Sequence, residues 1–168
     1  MKTPPHAVSG IPCNKENALE FAAMKKIALF CAGLLVTSAA VAGTPEEDEV
    51  LAPVQAFFAG LSARDAAAMK APFLPGGSMV LMRNGKPGQM TIEQFAERVS
   101  KPGTTKIEEK IHDPLIRIDN DLAVVWAPFD FYVDGKVDHC GTDLFNMVKK
   151  DGTWMIAGIA DTGKKDCK

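Results

Sequence analysis

Basic excess is the first thing this sequence lacks. Its 19 Lys and Arg are outnumbered by 21 Asp and Glu, a formal charge of −2. A nucleic-acid partner is therefore not expected. Aromatic residues are few, and no Arg/aromatic interleaving replaces the missing charge. The three histidines form no HxH or HExxH spacing, so no metal site is expected. Gly85-Lys86-Pro87-Gly88 precedes no Lys-Ser/Thr pair, G-x-S-x-G does not occur, and no C-x-x-C is present. Phosphate-loop, serine-hydrolase and dithiol chemistries drop out, and no cofactor is expected. The apolar run Ile27 to Val36, about ten residues, is too short to span a bilayer.

That run has a different meaning in context. Met24-Lys25-Lys26 precedes it, and Thr37-Ser38-Ala39-Ala40-Val41-Ala42 follows with small residues in an A-x-A arrangement. Positive start, apolar stretch and small-residue end together read as a secretory signal peptide over 24–42, cleaved after Ala42. Residues 1–23, with Pro4, Pro5 and Pro12, have no apolar periodicity and read as a gene-start artefact upstream of Met24. The domain is then 43–168, periplasmic or secreted, with no membrane contact after cleavage. Loss of 1–42 leaves 15 basic and 19 acidic residues, a formal −4. A chain of that size can bury one adequate core.

Two cysteines remain, Cys140 and Cys167. An even count in an oxidising compartment favours a bond between them, the alternative being two free thiols.

Thr44-Pro45-Glu46-Glu47 carries a capping box with Pro at the first helical position. Val50, Leu51, Val54, Phe57, Phe58 and Leu61 continue at helical spacing. Pro53 should kink this helix or mark its real beginning. A short helix is expected from about Asp65 to Lys70, and a third from a second capping box, Thr91 to Gln94, through Val99. A strand over 78–83 ends at the hairpin pair Asn84-Gly85. From Lys106 the chain reads as strands at about 105–111, 114–119, 122–133, 137–149 and 153–161. Asp119-Asn120-Asp121, Asp134-Gly135 and Asp151-Gly152 are the turns between the last four. Helices first and an antiparallel meander last is the α+β pattern.

Two-residue loops at both Asp-Gly pairs set a register in which Val133 faces Lys136 and Lys150 faces Thr153. Directly opposed residues share a sheet face. Asp130 then faces His139, Trp126 faces Asp143, and Tyr132 and Phe145 lie on the same side. The expected cleft is lined by Trp126, Asp130, His139 and Asp143. Phe57 of the first helix, Tyr132 and Phe145 complete its walls as ligand contacts. A carboxylate holding His139 in one tautomer makes a unit for general acid or base catalysis. Asp143, buried without a positive partner, would become a proton acceptor. The other reading of Asp130/His139 is a surface contact contributing below about 1 kcal/mol. A bulge at Pro128 or Gly141 would shift the whole register. The same arithmetic puts Cys140 opposite Gly163, from where the tail can bring Cys167 back to it. The opposite face, with Val125, Ala127, Phe129, Phe131, Val133, Leu144, Val148, Met155 and Ile159, is too apolar to be solvated. A two-fold copy packing sheet on sheet, or another part of the chain, should cover it.

The ending Asp151-Gly152-Thr153-Trp154-Met155-Ile156, after the apolar strand through Val148, resembles the nuclear transport factor 2-like (SnoaL-like) superfamily over about residues 46–161. The stretch Tyr132 to Gly141, with Asp143 and Phe145, resembles small secreted bacterial members. That resemblance implies a cone of curved antiparallel sheet closed by three N-terminal helices, a pocket inside and often a dimer outside. Members include isomerases, dehydratases, polyketide cyclases and noncatalytic binders, so the fold leaves the activity open. Catalytic members place an Asp, sometimes with His, in the pocket, which would give those parts to Asp143 and His139. Three functions follow: a binder of a small hydrophobic molecule, a lyase or isomerase using Asp143, His139 and Asp130, or a dimeric protein-interaction module.

Overall fold

A computed structural model describes residues 43–167. The signal peptide expected at 24–42 and the segment before it lie outside the described residues. Among those described, no helix is long and apolar enough to cross a membrane.

Thr44 caps α1 (Pro45–Ala63) through the expected box: Glu47 N–H donates to Thr44 Oγ1, and Thr44 N–H to Glu47 Oε2. Glu46, Glu47 and Asp48 in the first turn complement the helix dipole. Pro53 is not the start of this helix, which runs through it; the ring only removes one N–H from the ladder. Arg64 stops α1 in the left-handed conformation, and its guanidinium donates to Val99 O and Thr105 O. Asp65 then caps α2 (Ala66–Lys70) by accepting from Ala67 and Ala68 N–H. The two helices touch at Gly60, where a Cβ would lie 2.7 Å from Met69 N. The second capping box, Thr91 with Gln94, opens α3 (Ile92–Val99).

The seven strands are β1 (Phe73–Arg83), β2 (Lys86–Thr91), β3 (Ile107–Ile111), β4 (Leu115–Asp119), β5 (Leu122–Val133), β6 (Lys136–Lys150) and β7 (Thr153–Gly163). Asn84-Gly85, Asp134-Gly135 and Asp151-Gly152 all have positive φ at both residues, as tight hairpin reversals require. The order is β2-β1-β7-β6-β5-β3, with β4 also pairing β5. Here the expected all-antiparallel sheet is corrected. β1 runs parallel to β7, because helices and a hairpin intervene between β1 and the meander that reaches it. The sheet is mixed, curved and unclosed, an α+β arrangement with α1–α3 packed on one face. Val50, Val54, Phe57, Leu61, Phe145, Met147 and Ile156 form the core between.

Register is where the sequence reading and the structure part. Val133 does face Lys136, and Tyr132 faces Val137. One step on, Asp138 is an extra residue, so Phe131 faces His139 and Asp130 faces Cys140. Ala157 is a second extra residue, after which Asn146 faces Gly158 and Cys140 faces Lys164 rather than Gly163. One inserted residue reverses the pairing of every side chain beyond it. Consequently Val125, Ala127 and Phe129 point into the core, not outward as expected. The convex face instead shows Leu115, Leu122 and Trp126, each roughly half exposed at 48–56%.

Cys140 and Cys167 are disulfide-bonded, Cα atoms 5.7 Å apart. Lys165 of the tied-down tail donates to Asp138 Oδ1.

Candidate functional site

A cavity of about 520 Å³ lies between the sheet, α1 and α3. Its walls are apolar: Phe57, Leu61, Met79, Phe95, Phe131 and Phe145 among them. Exposed Lys86 and Arg98 are on its lining, and four further charged side chains converge on it from four strands. Each continues an apolar alternation by one step of two. Arg83 follows Met79 and Leu81 on β1, Asp161 follows Ile159 on β7, Asp143 precedes Phe145 on β6, and Glu109 stands between Ile107 and Ile111 on β3.

Arg83 and Asp161 form a two-pronged pair, Nη1 to Oδ1 and Nη2 to Oδ2, both 2.6 Å. Arg83 Nη1 also donates to Met82 O. The guanidinium lies flat over Gly163, whose absent Cβ would sit 2.9 Å from Arg83 Cζ. Hydrogen bonding to Asp161 raises Arg83 above its ordinary pKa and fixes its charge.

Asp143 is opposite Asp161 in register and has no such partner. It is 3% exposed, and its Oδ2 receives no hydrogen bond. Burial, and next the charge of Glu109, hold its carboxyl well above the usual carboxylate range. Glu109 is pushed up to about 7, first by burial, with Asp161 adding to the shift while Asp143 and Arg83 oppose it. The two carboxyls face each other, so a hydrogen bond between them requires a proton on one.

His139 reaches the same cavity from beyond the Asp138 bulge. Its ring stacks on Phe131 at 4.7 Å between centroids and meets Phe129 edge-on. Its carboxylate partner is Asp138, Nδ1 to Oδ2 2.9 Å, not Asp130. The Lys165 hydrogen bond, then that of His139, lowers Asp138 below its ordinary value.

Of the residues the sequence pointed to, Asp143, His139, Phe57 and Phe145 line the cavity. Trp126, Asp130 and Tyr132 do not; the extra residue at Asp138 breaks their pairing with the cavity side of β6. Trp126 is 51% exposed between Leu115 and Leu144. Asp130 bonds His112 Nε2 at 3.0 Å on the outside. Tyr132 lies under Lys110 Nζ, 5.0 Å from the ring centre. Asp130, Cys140 and Cys167 also lie within ligand distance of one another, but both sulfurs are consumed by the disulfide. Glu109, Arg83 and Asp161 were missed. Their signal was available as a charged residue on the apolar side of an alternating strand, plainest in Ile107-Glu108-Glu109-Lys110-Ile111.

No curated protein matches the chain. Solved structures do match in fold. An NTF2-like protein of unknown function from Pseudomonas putida KT2440 superposes with TM-score 0.63 at 13% identity, over 75% of this chain and 98% of that one. An NTF2-like protein from Cytophaga hutchinsonii ATCC 33406 gives 0.61 at 17% identity, over 72% and 100%. One of unknown function from Shewanella baltica OS155 gives 0.58 at 16% identity, over 73% and 98%. At these identities the likeness is one of fold, and the fold is NTF2-like. The model of the family described as "Putative lumazine-binding" matches residues 45–158, most of the chain, and the chain belongs to that family.

Proposed function

We propose that this is a secreted binding domain that holds one small, flat, largely apolar molecule in the cavity between sheet and helices. The observation that carries the reading is an apolar-walled space of about 520 Å³ with a few convergent polar groups on one side. The family's name makes lumazine, a flat heterocycle with both N–H and carbonyl groups, the first molecule to try. The signal-peptide pattern at 24–42 and the Cys140–Cys167 bond support a periplasmic or extracellular setting. Thermal-shift titration of the purified domain with lumazine and a panel of flat hydrophobic molecules tests this. Lumazine should raise the melting temperature with concentration, and Leu81→Trp, which fills the cavity from its wall, should abolish the shift. A full panel without any shift would end the reading.

A second reading is a lyase or isomerase, favoured by the joint placement of Asp143 and His139 on the cavity and by the raised carboxyl of Asp143. Asp143→Asn and His139→Gln separate the two: retained binding with lost turnover supports chemistry. A homodimer fits either reading. A second copy packed on the convex face would bury Leu115, Leu122 and Trp126. Sedimentation of the wild type and of Trp126→Lys tests it, a monomeric wild type counting against it.

A further inference from the structure

We propose that the Glu109–Asp143 side of the cavity is a recognition subsite for a planar cationic group bearing two or more N–H donors, an amidinium or a protonated amino-heterocycle edge. This rests on the cavity-binding reading and specifies the chemistry of its ligand.

The argument is one of partners. Three carboxyls and the Arg83 guanidinium meet on the sheet side of the cavity, while Lys86 and Arg98, the other cations on its lining, are exposed. Arg83 is committed, with both prongs on Asp161 and Nη1 also on Met82 O. Among the described residues no other basic nitrogen is in salt-bridge reach of Glu109 or Asp143. Asp143 is 3% exposed, so water does not compensate it, and its Oδ2 stands without a donor. A buried acceptor left unpaired calls for an explanation, and one outside the chain is a ligand that completes it. An anionic group would be repelled by both carboxyls. A hydrocarbon would leave Oδ2 as it is.

A planar cation with forked N–H donors answers each feature. One donor can go to each carboxyl, and its charge offsets the repulsion that opposes ionising both. The aromatic residues Phe57, Phe95, Phe131 and Phe145 line the same cavity, surroundings that suit a flat cation better than a fully hydrated one. A divalent metal fits less well, since Mg²⁺ and Ca²⁺ take six or more oxygen ligands and the surroundings are largely apolar.

Three probes of one shape read the charge preference: benzamidine, benzamide and benzoate, titrated calorimetrically into the disulfide-bonded domain at pH 8. Benzamidine should bind about tenfold or more tighter than benzamide, and benzoate not at all. Glu109→Gln and Asp143→Asn should each erase the preference; their melting curves confirm folding. Equal binding of benzamidine and benzamide, preferred binding of benzoate, or a preference that survives in both variants would overturn the proposal. So would Mg²⁺ or Ca²⁺ alone binding tightly and excluding benzamidine. Lumazine binding without a benzamidine preference would sink this inference alone, whereas no binding of any probe would sink the cavity reading with it.

Discussion

Asp143 and Asp161 face each other directly across β6 and β7, yet only Asp161 is answered by a cation. Like charges directly opposed on neighbouring strands destabilise a sheet. Arg83 relieves one of them, and Asp143 is left to share its environment with Glu109. Most of the energetic consequences of the fold for function follow from that asymmetry.

The first concerns pH. Glu109 titrates near 7 in the folded chain, against an ordinary value of 4.5, so the folded state holds its proton more tightly. Between those values folding takes up a proton, and stability falls as pH rises through the window. Asp143 acts in the same direction. Arg83 and Asp161 also face these groups, and His139 lines the same cavity. Asp138 is lowered, and its opposing effect belongs to the region below 3.8. Urea unfolding should show the domain more stable at pH 5 than at pH 8 by on the order of 2 kcal/mol. Equal stability, or a gain at pH 8, would contradict this.

Glu109→Gln should then stabilise the domain at pH 8 by about 1–2 kcal/mol while changing little at pH 5, because the amide supplies a donor to Asp143 and removes a buried charge. Unfolding curves at the two pH values check it. A loss of stability at both would mean that Glu109 is satisfied by something else.

The Cys140–Cys167 bond closes a separation of 27 residues. Removing it by Cys140→Ser with Cys167→Ser should cost about 3 kcal/mol. It should also release the tail that carries Lys165 to Asp138, and with it the anchor behind His139. Denaturation, with the His139 ring resonances followed by NMR, reads both effects.

Gly141 is held to its identity by β7. A Cβ there would lie 1.9 Å from Thr162 O and 2.8 Å from Thr162 C, both backbone atoms. Gly141→Ala should therefore cost about 3 kcal/mol or more, since a strand must move and not a side chain. A near-neutral melting curve would show that β6 and β7 are spaced differently.

Much of this was legible beforehand, for identifiable reasons. Thr44, Thr91, Asn84-Gly85 and the two Asp-Gly pairs announce caps and reversals because each needs a particular side chain or a positive φ. The bulges at Asp138 and Ala157 need neither, so nothing local betrays them. That is why the hairpin register points Asp130, Trp126 and Tyr132 into the cleft while the folded chain holds them outside it. Asp143, His139 and Phe145 reach it because the face carrying Phe145 and Met147 had to be buried whichever residues opposed it. The parallel contact of β1 with β7 was hidden for another reason. It joins strands about 80 residues apart, a separation that no turn signal can encode. Glu109 was readable from its alternation, but only a structure shows which carboxyl it meets.

The most direct test of the central claim locates the bound molecule. Backbone amide resonances of the ¹⁵N-labelled domain, followed during titration with lumazine or benzamidine, should shift at Glu109, His139, Asp143 and Phe145. Leu115, Leu122 and Trp126 on the convex face should stay unchanged. Shifts gathered on that convex face, with the cavity strands silent, would contradict the account.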